Sequence, residues 1–151
     1  MKTLIGIDHG TTSLKVALFT IDGKVLGAES CEYPILSPQP GYAEQDPGEW
    51  RKALEKSCTR LRSRFPEAFA ACAGVGICGQ MHTQVYLDWQ DRPLRPAITW
   101  MDQRALPVIE QMQQDGGAEL IFRETLNFPS TTYTAAHVRW VIENQPEVWA
   151  E

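Results

Sequence analysis

Long apolar runs are absent from this 151-residue chain. Its first apolar stretch, residues 4–7, is ended by Asp8 and His9, far short of a signal-peptide core. Nothing elsewhere approaches the roughly 20 apolar residues that span a bilayer, so no membrane partner is expected. Positive charge is scarce as well. Fourteen Lys and Arg stand against 19 Asp and Glu, for a net charge of -5 and a pI near 5.2. That balance gives nucleic acid or an anionic surface no electrostatic footing. The four cysteines, Cys31, Cys58, Cys72 and Cys78, form neither a CxxC pair nor a zinc-ligand spacing. Cys72 and Cys78 lie in or beside an apolar run, where a thiol acts as a small hydrophobe. A reduced, cytoplasmic protein is expected. What is present is ordinary: 43% hydrophobic and 22% charged residues, with no internal repeat, which excludes a disordered or fibrous chain. The length suits one domain with a core.

The pattern along the chain opens with strands. Residues 4–8 (LIGID) read as the first, and residues 14–20 (LKVALFT) as a second, apolar enough to be buried on both faces. Asp22-Gly23 is a hairpin signal, and residues 25–33 return as a third strand. Residues 34–41 carry three prolines and form a loop. Asp46 caps a helix with Pro47 at its first position and Glu49 completing a box-like arrangement. That helix is expected to run to about Arg64, with Trp50, Leu54, Cys58 and Leu61 on one face, and to end at Pro66. Strand character recurs at 73–78 (AGVGIC), 85–87 and 96–100 (PAITW), separated by a polar interruption at 79–83 and a turn at 89–93. From Asp102 the pattern is helical, broken by Pro107 and Gly116-Gly117. A final amphipathic helix over 134–144 turns Val138, Val141 and Ile142 inward. The fold class is therefore α/β: a mixed sheet opening with a three-stranded antiparallel meander and flanked by helices. The opening meander argues against a Rossmann fold, whose first strand leads directly into a helix.

The first turn carries chemistry. Asp8-His9-Gly10-Thr11-Thr12-Ser13 falls where the chain must reverse, and a hairpin tip of this kind presents backbone N–H groups to phosphate oxygens. Gly10 allows close backbone approach. The hydroxyls of Thr11, Thr12 and Ser13 add hydrogen bonds, Lys15 can offer a cation, and Asp8 is a hard oxygen ligand suited to Mg2+. A plain polar turn with an aspartate cap is the alternative. No GxxxxGK[ST] loop is present.

Residues 5–13 (IGIDHGTTS), followed by a strand and Asp22-Gly23, resemble the first phosphate motif of the actin-like ATPases, built from ribonuclease H-like lobes. Residues 76–82 (GICGQMH) are similar to the sugar-contacting segment of the FGGY carbohydrate kinases, in the version found in its xylulokinase branch. Residues 94–104 (LRPAITWMDQR) resemble the next block of that family, and residues 44–50 (EQDPGEW) a helix start shared with it. The order and spacing of these blocks, over the whole chain, carry the resemblance.

The resemblance implies an actin-like N-terminal lobe over residues 1–151, with the second lobe missing, and an ATP-dependent transfer of phosphate to a sugar hydroxyl. It implies ATP and Mg2+ as cofactors, with Asp8 for the metal and Gly10, Thr11, Thr12, Ser13 and Lys15 for the phosphates. Gln80, Met81, His82, Trp100 and Asp102 would meet the sugar, which offers only hydroxyls and a carbon skeleton. Taken alone, Trp100 reads as core, and Asp102 with Arg104 as a solvated ion pair. An imidazole titrates near neutrality, so His82 suits a general base on chemistry alone; the family instead carries its base further along, in sequence absent here. Sugar and ATP are the implied partners, and a homodimer is allowed. Gln103 and Thr83 stand where the relatives usually have glycine. The resemblance implies a ketopentose such as xylulose as the substrate; both departures are on the sugar side, so gluconate, ribulose, glycerol and a heptulose stay open as alternatives. A non-catalytic ATP-binding lobe of the actin or chaperone type is the reading from another class.

Overall fold

The structure is a computed structural model and describes residues 2–151. Its first elements are β1 (Thr3–His9), β2 (Ser13–Thr20), β3 (Val25–Glu32), β4 (Glu44–Gln45), α1 (Pro47–Arg64) and α2 (Pro66–Ala70). Then come β5 (Cys72–Cys78), β6 (Ala97–Ile98), α3 (Leu106–Gln114), α4 (Gly117–Thr125), α5 (Thr134–Asn144) and α6 (Pro146–Trp149). Two units emerge, one from residues 2–34 and 48–80, the other from residues 35–47 and 81–151.

In the first unit the strand order is β3-β2-β1-β5. Strands β1, β2 and β3 are antiparallel neighbours, and β5 joins β1 in parallel, with Gly6 opposite Gly76. Gly23, at a φ of 90°, makes the turn between β2 and β3. Strand β2 corrects the expectation of burial on both faces. Leu14, Val16 and Leu18 are buried, whereas Lys15 between them is exposed, so the strand alternates. The apolar residues Ala17 and Phe19 lie on that other face, which is why the run looked continuous.

One face of the sheet is covered by α1 and α2. Ala53, Ser57 and Leu61 are the buried residues of α1, one helical turn apart, and Trp50, Leu54 and Cys58 pack beside the core. Pro66 ends α1 as expected and also starts α2, because a helix tolerates proline in its first turn. The Thr3 hydroxyl donates to the Ala68 carbonyl at 2.6 Å and ties α2 to β1. Ile77 of β5 stays 73% exposed.

Gly27 explains how α2 approaches the sheet. A Cβ added there would lie 2.4 Å from the Phe65 ring. Gly27→Ala is therefore expected to lower stability by about 1–3 kcal/mol through overpacking, read from the urea midpoint. An unchanged midpoint would mean that the ring swings aside freely.

In the second unit β4 and β6 pair antiparallel as a short ladder, Glu44 opposite Ile98. The strands expected over 85–87 and 96–100 shrink to β6 and to isolated bridges at Gln84–Ile98 and Leu87–Pro93. Pro93 and Pro96 have no N–H to extend a ladder. Pro107, expected as a break, sits in the first turn of α3 and opens it. Ala105, Val108, Ile109, Met112 and Ala136 form the core of α3 and α5, with Ile121 and Trp140 packed against them. Helix α5 has the expected bounds but a rotated face. Ala136, His137 and Val141 are buried and Ile142 is 41% exposed. The polar His137 takes the inward place because it has partners there.

Candidate functional site

The chemistry of the first unit gathers at the β1–β2 hairpin. Asp8 and Lys15 are cross-strand partners, so their side chains share the face not covered by helices. Both are exposed and line one open depression of about 470 Å3, floored by Gly6, Ala17, Phe19 and Gly76. Cys78 also lines it. Its thiol lies 3.5 Å from Asp8 Oδ1, and donation to that carboxylate pushes the thiol's pKa up. Cys78, expected as a small hydrophobe, is put at the carboxylate by its register with Asp8.

The tip of the hairpin is held from several sides. The Gly10 N–H donates to Ser13 O at 3.0 Å, so this amide serves the turn and not a ligand. A Cβ on Gly10 would lie 3.1 Å from the same oxygen. Glycine at this position serves the chain's own close approach. The Tyr33 N–H donates to Thr12 O at 3.2 Å, and the Tyr33 hydroxyl to Gly10 O at 2.5 Å. Burial, with the Asp8 charge adding to it, pushes that phenol up to about 12, so it remains a donor at any working pH. Gln80 Nε2 donates to the same carbonyl at 3.1 Å. The amide of Gln80, expected at the sugar, thus reaches the phosphate hairpin.

His9, which the sequence left without a role, packs edge-on against Trp50 with ring centroids 4.5 Å apart. Burial lowers its pKa, opposed by the neighbouring Asp8 charge. His9 Nε2 and Trp50 Nε1 are both buried without a hydrogen-bond partner.

In the second unit His82 adopts φ 62°, in the left-handed region that histidine enters more readily than most residues. Its carbonyl accepts from Gln84 Nε2 at 2.6 Å, which helps hold the turn. The imidazole meets the Tyr133 ring edge-on, centroids 5.0 Å apart. Both line a cavity of about 280 Å3 with Thr125, Asn127, Phe128 and Ser130. Residues 125–130 were missed by sequence reading. They lie between helical patterns, and turn residues alone do not reveal what a loop faces. Met81 is 77% exposed and Trp100 is 40% exposed, with the Trp100 N–H donating to Thr83 Oγ1 at 3.3 Å. Trp100 is therefore not the core residue that it resembles in isolation.

Asp102 departs most from expectation. It was expected at the sugar, or with Arg104 as a solvated pair, yet it is 0% exposed and Arg104 is buried beside it. Its carboxylate accepts from Arg104 Nε at 2.9 Å, Arg104 Nη2 at 2.8 Å and the Ala43 N–H at 2.6 Å. Burial alone would raise its pKa. The nearby His137 imidazole and hydrogen bonds from Arg104 and the Ala43 amide outweigh that and hold it well below the usual carboxylate range. Glu44 accepts from Arg104 at 2.6 Å and also pairs with Arg95, so two carboxylates balance two guanidiniums. Arg104 lies 4.0 Å from the Tyr42 ring centroid and 5.0 Å from that of Trp140. This cluster braces β4 and β6, and it corrects the placing of Asp102 among sugar contacts.

The donor set at the first unit fits magnesium in kind. Mg2+ favours one or two carboxylates completed by water and phosphate oxygens, and Asp8 is such a carboxylate beside a cation and a hydroxyl-rich turn. No group of three His, Cys, Asp or Glu side chains among the described residues forms a metal cluster. Among the same residues no helix is long and apolar enough to cross a membrane.

Relatives of known type match over nearly the whole chain. The chain is 37% identical over 150 residues to a xylulose kinase of Lactococcus lactis, covering 99% of this chain and 30% of that protein. It is 33% identical to a glycerol kinase of Roseiflexus sp. over 97% of this chain, again 30% of the relative. Among solved structures, a xyloylose kinase from Brucella ovis superimposes with a TM-score of 0.90 at 34% identity, over 99% of this chain and 31% of that one. A gluconate kinase from Lactobacillus acidophilus does so with a TM-score of 0.91 at 28% identity, over 99% and 30%. The chain thus spans about 30% of the length of the curated relatives that it matches. The model of the FGGY family of carbohydrate kinases, N-terminal domain, matches residues 3–151, and the chain belongs to that family.

Proposed function

We propose that this chain is the phosphate-gripping, sugar-binding part of a longer cytoplasmic ATP-dependent sugar kinase, with a ribonuclease H-like fold of the actin type. The observation that carries the reading is the pairing of Asp8 with Lys15 on one sheet face, beside the Thr11–Ser13 turn. The names of the relatives support a ketopentose such as xylulose as substrate. A glycerol or gluconate substrate is the second reading, supported by the relatives of those names.

In such a transfer a sugar hydroxyl oxygen forms a bond to the γ-phosphorus of ATP. The bond from that phosphorus to the bridging oxygen breaks, ADP leaves, and the hydroxyl proton passes to a base. Positioning and charge neutralisation supply most of the catalysis. Bound Mg2+ would supply charge neutralisation at the phosphates. Asp8 would hold that ion, and Lys15 would place a cation near the leaving phosphate. Thr11, Thr12 and Ser13 would orient phosphate oxygens with hydroxyls. His82 would hydrogen-bond a sugar hydroxyl, with Met81 and Trp100 as apolar walls against its carbons. No base is assigned within these residues; the reading puts it in the remainder of the protein.

ADP release by the full-length gene product, with Mg-ATP and a panel of ketopentoses, heptuloses, polyols and aldonates, tests this. Turnover on one ketose, and none by residues 1–151 alone, is the expected result. Nucleotide binding without turnover on any sugar would favour a non-catalytic ATP-binding protein.

A further inference from the structure

Gly10 O is the meeting point of two side chains that come from outside the hairpin. Tyr33, just past β3, donates its hydroxyl at 2.5 Å, and Gln80, just past β5, donates Nε2 at 3.1 Å. A carbonyl oxygen has two lone pairs, so this acceptor is filled by two donors. The effect on the turn follows from peptide geometry. The unit joining Gly10 to Thr11 is planar and trans, so the direction of its C=O also sets the direction of the Thr11 N–H. A second Tyr33 contact, N–H to Thr12 O at 3.2 Å, holds the Thr12–Ser13 peptide of the same tip.

Building on the kinase reading, we propose that Tyr33 and Gln80 are positioning residues that lock the peptide planes of the phosphate-binding turn, and that the Gln80 amide acts on the phosphate side of the reaction. Without the latch the turn keeps its Gly10 N–H to Ser13 O bond but loses the restraint on its tip. Phosphate binding must then order the tip at the moment of binding, which weakens nucleotide binding and leaves sugar binding alone.

The test compares wild type, Tyr33→Phe and Gln80→Leu in the full-length gene product. Phenylalanine keeps the ring packing of Tyr33 against the core, so Tyr33→Phe stays informative if Gln80→Leu fails to fold. Each variant is expected to raise the KM for ATP by about tenfold, in line with the loss of one hydrogen bond, with the sugar KM within about twofold. Amide hydrogen exchange over residues 9–14, measured without substrates, should speed up in both. A raised sugar KM in Gln80→Leu, with ATP KM and turn exchange at wild-type values, overturns the proposal. If the wild-type protein turns over no sugar, the kinase reading fails, and the exchange of residues 9–14 still decides whether the latch exists.

Discussion

Asp102→Ala is expected to lower the stability of the folded chain by about 3–5 kcal/mol, because it takes from a buried guanidinium one of its two carboxylate partners. Asp102 and Arg104 are both buried, and Arg104 keeps only Glu44 as a counter-ion, which it shares with Arg95. The Ala43 N–H would lose its acceptor at the same time. Urea denaturation measures the loss. A change below about 1 kcal/mol, the range of exposed ion pairs, would show that the cluster is not the brace described. Replacing Asp102 and Arg104 together by leucine and methionine should recover part of the loss, since an apolar pair leaves no uncompensated charge.

The sign of the pH dependence follows from the same carboxylate. Its pKa is held below the unfolded value, near 3.9 for a free aspartate. The folded state therefore binds its proton less readily than the unfolded one. The stability from Asp102 is fully present above about pH 4 and is lost as pH falls through the lower folded value. Asp102→Asn should flatten the acid limb of a stability profile relative to wild type.

Asp8→Ala in the full-length gene product is expected to cost about 10²–10³-fold in kcat, the scale of losing one electrostatic support of a developing charge. The argument rests on position. Asp8 is exposed, lies at the end of β1 opposite Lys15, and faces the open depression beside the hairpin. Its resolved contact is the Cys78 thiol, so its removal should leave the fold intact, and an unchanged urea midpoint checks that. The variant should also need more Mg2+ for half-maximal rate. Turnover within about threefold of wild type at saturating Mg2+ would remove Asp8 from the site.

Local patterns made much of the architecture legible. Asp22-Gly23 announced the hairpin because a left-handed residue is needed there and glycine supplies it at no steric cost. Pro47 and the run to Arg64 marked α1, and Thr134 to Asn144 marked α5. Proline at 107 misled, because the same ring breaks a helix interior and opens a helix start; only the position relative to the helix start separates the two. The inward face of α5 misled as well, since hydrophobicity favours Ile142 over His137.

The amino-acid sequence by itself determined the opening meander, α1, β5 and α5, the hairpin tip with its Asp8 and hydroxyls, and the family resemblance, because each depends on residues close together in the chain. Tertiary structure alone decided that Asp102 is walled in by Arg104, that Gln80 reaches Gly10 across 70 positions, and that Tyr133 meets His82. Those outcomes depend on desolvation and on donors brought from distant segments. A carboxylate, an amide or an imidazole has the same chemistry in a sequence whether it will face water, a backbone carbonyl or a ligand. Its surroundings choose.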